Sequence, residues 1–482
     1  MRISLALIAL STTALLTGCA VGPAYVAPQT AAPPSFVGSP AVDANAERAA
    51  SVDLANWWRS FDDPLLPKLV DRALVQNLDL QQARARVTQT RAALRFANAD
   101  LLPSGQISGQ ASENYQSRET PQGRIASALP GFQREAQSYE VDLGARWEID
   151  LFGGKDAARD AARADWQASS AAAVAARLAV AAQTADTYIA IRGLQARLGV
   201  ARDQQKVQQQ LVDLIALQYR NGVAAELQLR QAEGALAQVK AAIPELEQNL
   251  DSAMNALDVL LGLQPGSTRV ELAPPSPIPV PPAVSSAGGP AALLRRRPDI
   301  IAAERTLAAS NARIGVAMAE YYPKFSLSGL LGTATMGVSG LFGGNATQAS
   351  GVFGLRWRLF DFGRIDAEIA AARGRNAEAL AAYRLTVLRA SEDVENAFSS
   401  LIKQQARAQI LDEGVLSLAR ARGSSLAAYK GGAASLLDVL DVDQRLLASR
   451  DAEIQSRAAA ARAAIASFRA LGGGWDAPTI AG

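Results

Sequence analysis

Two aspartates three residues apart, Asp438 and Asp441, could carry charge chemistry. That spacing places both carboxylates on one face of a helix, among apolar Leu436, Leu437, Val439 and Leu440. The spacing alone leaves two readings open: a solvated helical face, or carboxylates that act on something passing them. Composition excludes most other chemistry. The 482 residues contain no histidine and one cysteine, which rules out imidazole triads, His or Cys zinc sites and internal disulfides. Lys plus Arg number 48 against 46 for Asp plus Glu, and a net charge of +2 gives no electrostatic case for nucleic acid. With no convergent nucleophile or metal motif, the chain reads as a non-enzyme.

The single cysteine has a different role. Met1-Arg2 is a short positive start, and the apolar run from Ile3 to Leu16 is too short for a spanning helix, which fits a secretory signal over 1–18. Leu16-Thr17-Gly18-Cys19 resembles the lipobox of bacterial lipoproteins. That resemblance implies N-acyl and diacylglycerol chains (palmitate among them) on Cys19, and Ala20 permits transport to the outer membrane. Two or three acyl chains anchor stably. No cofactor or metal beyond this covalent lipid is expected. The stretch from Val21 to Pro40 is rich in Pro, Ala and Gly and reads as an extended tether. Beyond the signal no run of 18 apolar residues exists, so any membrane crossing must use strands.

The elements that position the aspartates come twice. Trp147 with Phe152-Gly153 recurs 210 residues later as Trp357 with Phe362-Gly363, and Tyr219, Gly222 and Leu261-Gly262 recur as Tyr429, Gly432 and Leu471-Gly472. Upstream, Asp79, Pro103 and Ser108-Gly109 match Asp299, Pro323 and Ser328-Gly329 at an offset of 220. The first copy therefore carries ten extra residues in the polar stretch Glu113 to Gln137, read as a loop. A repeat this long implies two pseudo-equivalent halves rather than a solenoid.

Each half has two textures. From Ser138 to Phe152, Tyr139, Val141, Leu143, Ala145, Trp147, Ile149 and Leu151 alternate with Glu140, Asp142, Arg146, Glu148 and Asp150, a strand with one oily and one charged face. Phe353, Leu355, Trp357 and Leu359 repeat the pattern, and Gln106 to Ser112 and Phe325 to Leu331 supply partners. Such alternation also suits a soluble sandwich, but charge at every second position favours a water-filled lumen. Four strands cannot close a barrel, since the smallest single-chain membrane barrels have about eight, and an open edge is not tolerated in lipid. Three copies would give twelve strands. The remainder predicts helices: Pro67 to Leu101 and Pro298 to Tyr322, then Lys155 to Arg220 and Asp366 to Lys430, then Val223 to Leu261 and Ala433 to Leu471. At roughly 1.5 Å per residue the longest are rods near ~100 Å with coiled-coil packing. Pro244 is expected to kink or interrupt one return helix.

Hairpin, long helix, tight turn and return helix, duplicated behind a lipobox, resemble the TolC-type outer-membrane factors of tripartite efflux pumps, specifically their lipoprotein branch. Local marks are Asn56-Trp57-Trp58 with Phe61-Asp62-Asp63-Pro64-Leu65, Asn77-Leu78-Asp79-Leu80, Arg296-Arg297-Pro298-Asp299-Ile300 with Ala303-Glu304, Asn311-Ala312-Arg313-Ile314-Gly315, Tyr322-Pro323, and Tyr429-Lys430-Gly431-Gly432 with Asp438-Val439-Leu440-Asp441. The resemblance implies an α+β membrane protein whose trimer forms a 12-stranded outer-membrane β-barrel continuous with a long periplasmic α-helical barrel. It implies a Gram-negative outer-membrane channel passing drugs or other small toxic compounds, served by a periplasmic adaptor and an inner-membrane pump, RND-type in this branch. A protein-secretion duct and a non-transporting trimeric structural lipoprotein are the alternatives. The expected organisation is signal 1–18, lipidated N-terminal segment 19–66, first repeat 67–273, Pro-rich linker 274–292, second repeat 293–472 and tail 473–482.

The resemblance also assigns roles at the periplasmic tip. Arg220, Asn221 and Gly222, with Lys430, Gly431 and Gly432, are helix C-caps by their glycines and the surface an adaptor grips by resemblance. Asp438 and Asp441 match a pair lining the aperture, two stacked carboxylate rings under threefold symmetry that favour cations. Tyr429 falls on the tyrosine of the closing network, whereas Ala434 replaces its arginine and Gln228 its acidic partner. Arg220, Glu226, Arg230 and Arg445 are the substitute links expected nearby.

Overall fold

Proline ends the helical run before each hairpin, because it cannot donate to a helix and biases the preceding residue towards extended backbone. Pro103 precedes β1 (Ser104–Tyr115) and Pro323 precedes β3 (Lys324–Thr335) in the computed structural model. Its described residues are 21–29, 33–46, 52–286 and 289–476, so the signal and Cys19 lie outside them. β2 (Glu135–Ile149) and β4 (Thr347–Arg356) complete one antiparallel sheet in the order β1-β2-β3-β4. The two hairpins are thus joined through β2 and β3.

The register gathers most apolar side chains on one face and the charged ones on the other, with Leu330 and Val352 as apolar exceptions on the polar face. Ile107 lies opposite Leu143, Leu143 opposite Leu331, and Leu327 opposite Phe353 on the apolar face. Ser108 lies opposite Asp142, Arg146 opposite Ser328, and Lys324 opposite Arg356 on the polar face. Ile107, Leu143, Leu331, Phe353 and Leu355 are all exposed. On the polar face Gln348 donates to Asp142 at 2.8 Å, crossing β3 at Gly332. A Cβ there would stand 2.0 Å from Asp142 Oδ1.

The strands end earlier than alternation suggests. Leu151 lies beyond the end of β2, and Trp357 and Leu359 beyond the end of β4. Trp357 Nε1 instead donates to the Tyr321 carbonyl at 2.9 Å, as Trp147 Nε1 does to Leu101 at 2.9 Å. The stretch read as a loop, Glu113 to Gln137, gives its ends to β1 and β2 and carries a helix, Pro121–Ser127. Thr120 caps that helix by accepting from the Gly123 N–H at 3.1 Å, and Pro121 fills its first turn.

The duplication is literal in helix length. α1 (Leu78–Ala99) and α4 (Pro298–Ala319) each have 22 residues, α2 (Gly154–Arg220) and α5 (Arg364–Lys430) each have 67, and α3 (Glu226–Leu260) and α6 (Leu436–Ala470) each have 35. Pro244 sits inside α3 without ending it. The helix expected over Pro67 to Leu101 is broken at Asn77, which separates Leu66–Gln76 from α1. Arg297 makes the matching break between Gly289–Arg296 and α4. The Gly289–Arg296 helix begins within the stretch read as linker.

The chain forms two compact units. One holds the sheet with Thr88–Gln167, Glu304–Ala381 and the residues up to Pro28. There residues 21–28 are extended but docked rather than a free tether. Val21 N–H donates to the Phe152 carbonyl at 3.2 Å, Asn311 donates to the Pro23 carbonyl at 2.8 Å, and Tyr25 donates to Glu304. The other unit is helical, and its core includes Trp57, Trp58, Tyr188, Phe398 and Phe468. Trp57 stacks on Phe468 with ring centroids 5.4 Å apart, which seats the Asn56-Trp57-Trp58 motif against α6. Beyond α6, Gly474 N–H donates to the Leu54 carbonyl at 2.7 Å, so the start of the tail is docked too.

Candidate functional site: the helix tips

Glycine ends α2 and α5 for a conformational reason. Gly222 and Gly432 have φ of +73° and +77°, and a Cβ at either would meet nothing within 4 Å. Backbone handedness alone therefore demands glycine there. Gly222 N–H donates to Tyr219 O at 3.0 Å and Val223 N–H to Gln218 O at 2.8 Å; Gly432 and Ala433 repeat both bonds to Tyr429 and Ala428 at 3.0 and 2.8 Å. These bonds satisfy the last carbonyls of each helix in a Schellman-type cap. Arg220, Asn221, Lys430 and Gly431 are exposed on the two turns, beside exposed Val223, Leu227 and Leu437.

Asp438 has a local duty. It is the third residue of α6, where its Oδ2 accepts from the Ser435 N–H at 2.8 Å and from the Ser435 hydroxyl at 2.7 Å. Ser435 Oγ in turn accepts from the Asp438 N–H at 3.3 Å, a capping box. The Ser435 hydroxyl, helped by its N–H, holds the Asp438 pKa below the usual 3.8. Gln228 is its counterpart in the first repeat and accepts from the Ala225 N–H at 3.1 Å. Alanine has no oxygen to return the bond, so only half of that box forms.

Asp441 is exposed and accepts from Arg445 Nε at 3.1 Å. Arg230 pairs with Glu226 at 3.2 Å and Glu233 at 2.9 Å, all on α3. The links expected from Glu226, Arg230 and Arg445 are therefore contacts within one helix, and Arg220 makes no ion pair among the described residues. Tyr429 does bridge helices, donating from its hydroxyl on α5 to Gln218 Oε1 on α2 at 3.0 Å. Burial raises its pKa.

The strongest interhelical link at the tip involves a residue that the spacing argument passed over. Asp443 is 1% exposed, accepting from Arg422 Nε on α5 at 2.8 Å and from Gln208 Nε2 on α2 at 3.3 Å. A buried carboxylate is tolerated only when paired in this way. The signal for it was present: Leu436, Val439, Asp443 and Leu446 fall at steps of three, four and three, the buried stripe of an amphipathic helix. All four are buried. The same helices are clamped further along by Arg197 to Asp451 and by Arg462 to Asp186, the latter at 2.7 and 2.8 Å.

The family model described as "Outer membrane efflux protein" matches residues 69–263 and 289–473, one copy on each repeat. The chain is 32% identical over 473 residues to outer membrane protein OprJ of Pseudomonas aeruginosa, covering 96% of this chain and 94% of that one. It is 29% identical to the probable outer membrane lipoprotein SilC of Salmonella typhimurium, covering 98% and 99%. Among solved structures, the outer-membrane channel OprN is similar with a TM-score of 0.85 and 32% identity, covering 95% of this chain and all of that one. Duplicated hairpins, paired long helices and these full-length matches agree: the chain belongs to the outer membrane efflux protein family, and is a TolC-type outer-membrane efflux channel, not an enzyme.

Proposed function

We propose that three copies of this chain form the exit duct of a tripartite efflux system, receiving small toxic compounds from an RND-type inner-membrane pump through a periplasmic adaptor. The observation that carries this reading is the sheet. Its apolar face is exposed, its other face is charged, and β1 and β4 each leave one edge unpaired within the chain. Unpaired edges in hydrocarbon are costly, since each orphaned backbone group there costs several kcal/mol. Three sheets joined edge to edge remove every open edge, turning the apolar face to lipid and the charged face to a wet lumen.

The tip turns present Arg220, Asn221, Lys430 and exposed apolar Val223 and Leu227 to the adaptor. Asp438 and Asp441 line the closed aperture, with Asp438 kept ionised by Ser435. Tyr429 holds the aperture shut through Gln218, and Gln228 fixes the matching turn of the first repeat. Cys19 carries the lipid anchor, in keeping with the name of the SilC relative, and Cys19→Ser should abolish palmitate labelling.

Planar-bilayer conductance of the purified protein, against an Asp438→Ala/Asp441→Ala double variant, tests the duct and its gate together. Low, intermittent conductance that rises or loses cation preference in the variant supports both. Conductance indifferent to the substitutions moves the gate elsewhere. A correctly assembled trimer that does not conduct overturns the duct in favour of a structural lipoprotein.

A further inference from the structure

The two repeats differ in charge where the sheet meets the helices. There α4, α5 and the ends of β3 and β4 line a cavity of about 820 Å³. Five cations face it: Arg313 on α4, Lys324 on β3, Arg356 and Arg358 at and just beyond the end of β4, and Arg375 on α5. They stand against two carboxylates, Glu320 and Glu368. Both carboxylates are already engaged, Glu320 by Lys324 and Arg358, and Glu368 by Arg358 at 3.2 Å. Arg313 reaches outside the lining to Asp165. Arg356 and Arg375 are left exposed, with no ion pair among the described residues.

Two observations set this cavity apart from a solvated surface. Lys324 lies directly opposite Arg356 in the β3–β4 ladder, and like charges so placed destabilise a sheet. Glu320 relieves the lysine, whereas no described carboxylate relieves the arginine. The second observation is the other repeat. At an offset of 220, Arg313, Glu320 and Lys324 correspond to Ala93, Asp100 and Ser104. At an offset of 210, Arg356, Arg358, Glu368 and Arg375 correspond to Arg146, Glu148, Ala158 and Asp165. Five cations and two carboxylates thus become one cation and three carboxylates. The first repeat builds the same strands and helices with the opposite charge, so the fold does not require the positive one.

We propose that this cavity binds soluble, small organic oxyanions of two or more negative charges, held by Arg356 and Arg375. A guanidinium presents two parallel N–H donors to a phosphate or carboxylate, which makes it the suited group. Val316, Ala317 and Ala371 give the organic frame a small apolar wall. Arg356 stands on the polar face of the sheet, so the ligand arrives from water and not from lipid on the apolar face. A cleft lined by one sign of charge concentrates the opposite ion. In the exit duct this gives anionic cargo a station opposite in sign to Asp438 and Asp441. The inference deepens the duct reading by naming a substrate class; it rests on that reading for passage of the cargo, and not for binding.

Isothermal titration of inorganic pyrophosphate into the assembled protein in mild detergent reads the site without any conductance. Wild type should bind saturably, and Arg356→Gln/Arg375→Gln should bind at least about tenfold more weakly, having lost two charge-assisted contacts. Arg389→Gln, which removes an exposed cation of α5 outside the cavity, should bind as wild type does. Arg375→Gln alone, away from the sheet, should still show a several-fold loss if the double variant does not assemble. The site is overturned by a wild type that takes up no pyrophosphate, by a double variant that binds as tightly as wild type, or by an equal loss in Arg389→Gln. Reversal potentials in planar bilayers then read the passage, and the double variant should shift towards cations. Equal reversal potentials in two conducting proteins overturn the role in transport. Pyrophosphate binding that depends on the two arginines, in a protein that never conducts, keeps the site and overturns the duct.

Discussion

Asn77 and Arg297 stand at the same point of the two repeats and do the same job with different chemistry. Asn77 Nδ2 donates to the Leu260 carbonyl at the end of α3 at 2.9 Å. Arg297 Nη1 donates to the Ala470 carbonyl, the matching end of α6, at 3.3 Å. Each breaks one helix to cap another. Asn77 is also the N-cap of α1, its Oδ1 accepting from the Leu80 N–H at 3.1 Å. Arginine cannot accept, and it uses its spare donors on Asp299 at 2.6 Å and Asp393 at 3.0 Å.

Asn77→Ala should therefore cost about 1–3 kcal/mol, because it removes the partner of a half-buried carbonyl and the cap of a helix N-terminus together. Arg297→Ala should cost a similar amount, and Arg297→Lys should recover little of it, since a lysine cannot reach the Ala390 and Ala470 carbonyls together with the two carboxylates. Thermal unfolding of the detergent-solubilised variants checks both.

Gly332→Ala should disturb the sheet although alanine is small. Its Cβ would lie 2.5 Å from the Val141 carbonyl as well as 2.0 Å from Asp142 Oδ1, so backbone must move as well as side chain. A cost of about 1–3 kcal/mol is expected for such overpacking, read as a lower temperature for loss of the trimer band. Gly105→Ala, whose nearest neighbour would be 3.7 Å away, is the control that should assemble normally.

Tyr429→Phe removes the donor to Gln218 while keeping the ring. A link worth about 1 kcal/mol shifts an opening equilibrium about fivefold. Open-channel probability should rise by that order. Gln218→Ala should match it, and the double variant should add nothing further.

Acid and alkali should act on different residues. The Asp438 pKa lies below 3.8 because Ser435 donates to it. Its capping contribution is therefore present above the ordinary value and lost only as pH falls through the lowered one. Ser435→Ala should move the loss of cation preference to higher pH. Tyr188 is buried beside Asp63, and burial pushes its pKa up to about 12 from 10.0. Its contribution is complete below pH 10 and declines as pH rises towards 12. Tyr188→Phe should flatten the stability profile over that window.

Asp443→Ala should be the most damaging change at the tip, at about 3 kcal/mol or more. It leaves Arg422 without its carboxylate and Gln208 without its acceptor. Asp443→Asn should recover part, because an amide oxygen still accepts. Asp441→Ala, which removes only an exposed intrahelical pair, should change stability by less than about 0.5 kcal/mol. The contrast is measurable by urea unfolding monitored by circular dichroism.

Much of the molecule was legible in the chain because its signals are local or periodic. Strand faces follow from alternation, and helix ends follow from Gly222 and Gly432, where a left-handed residue is needed whatever surrounds it. The two-repeat architecture follows from offsets of 210 and 220, which the helix lengths reproduce pair by pair. What tertiary structure decided depends on partners far apart in sequence. Local signals permit both breaks, an N-cap asparagine at Asn77 and a proline directly after Arg297, but the carbonyl that each side chain caps lies more than 170 residues away in sequence. The interval between one aspartate and the next does not separate the three at the tip, and only the apolar stripe around Asp443 sets one apart: Asp438 closes a helix cap, Asp441 pairs along its own helix, and Asp443 is buried between α5 and α2. A carboxylate's environment, not its interval from the next one, determines whether it titrates, caps or clamps, and that environment exists only once the helices are packed.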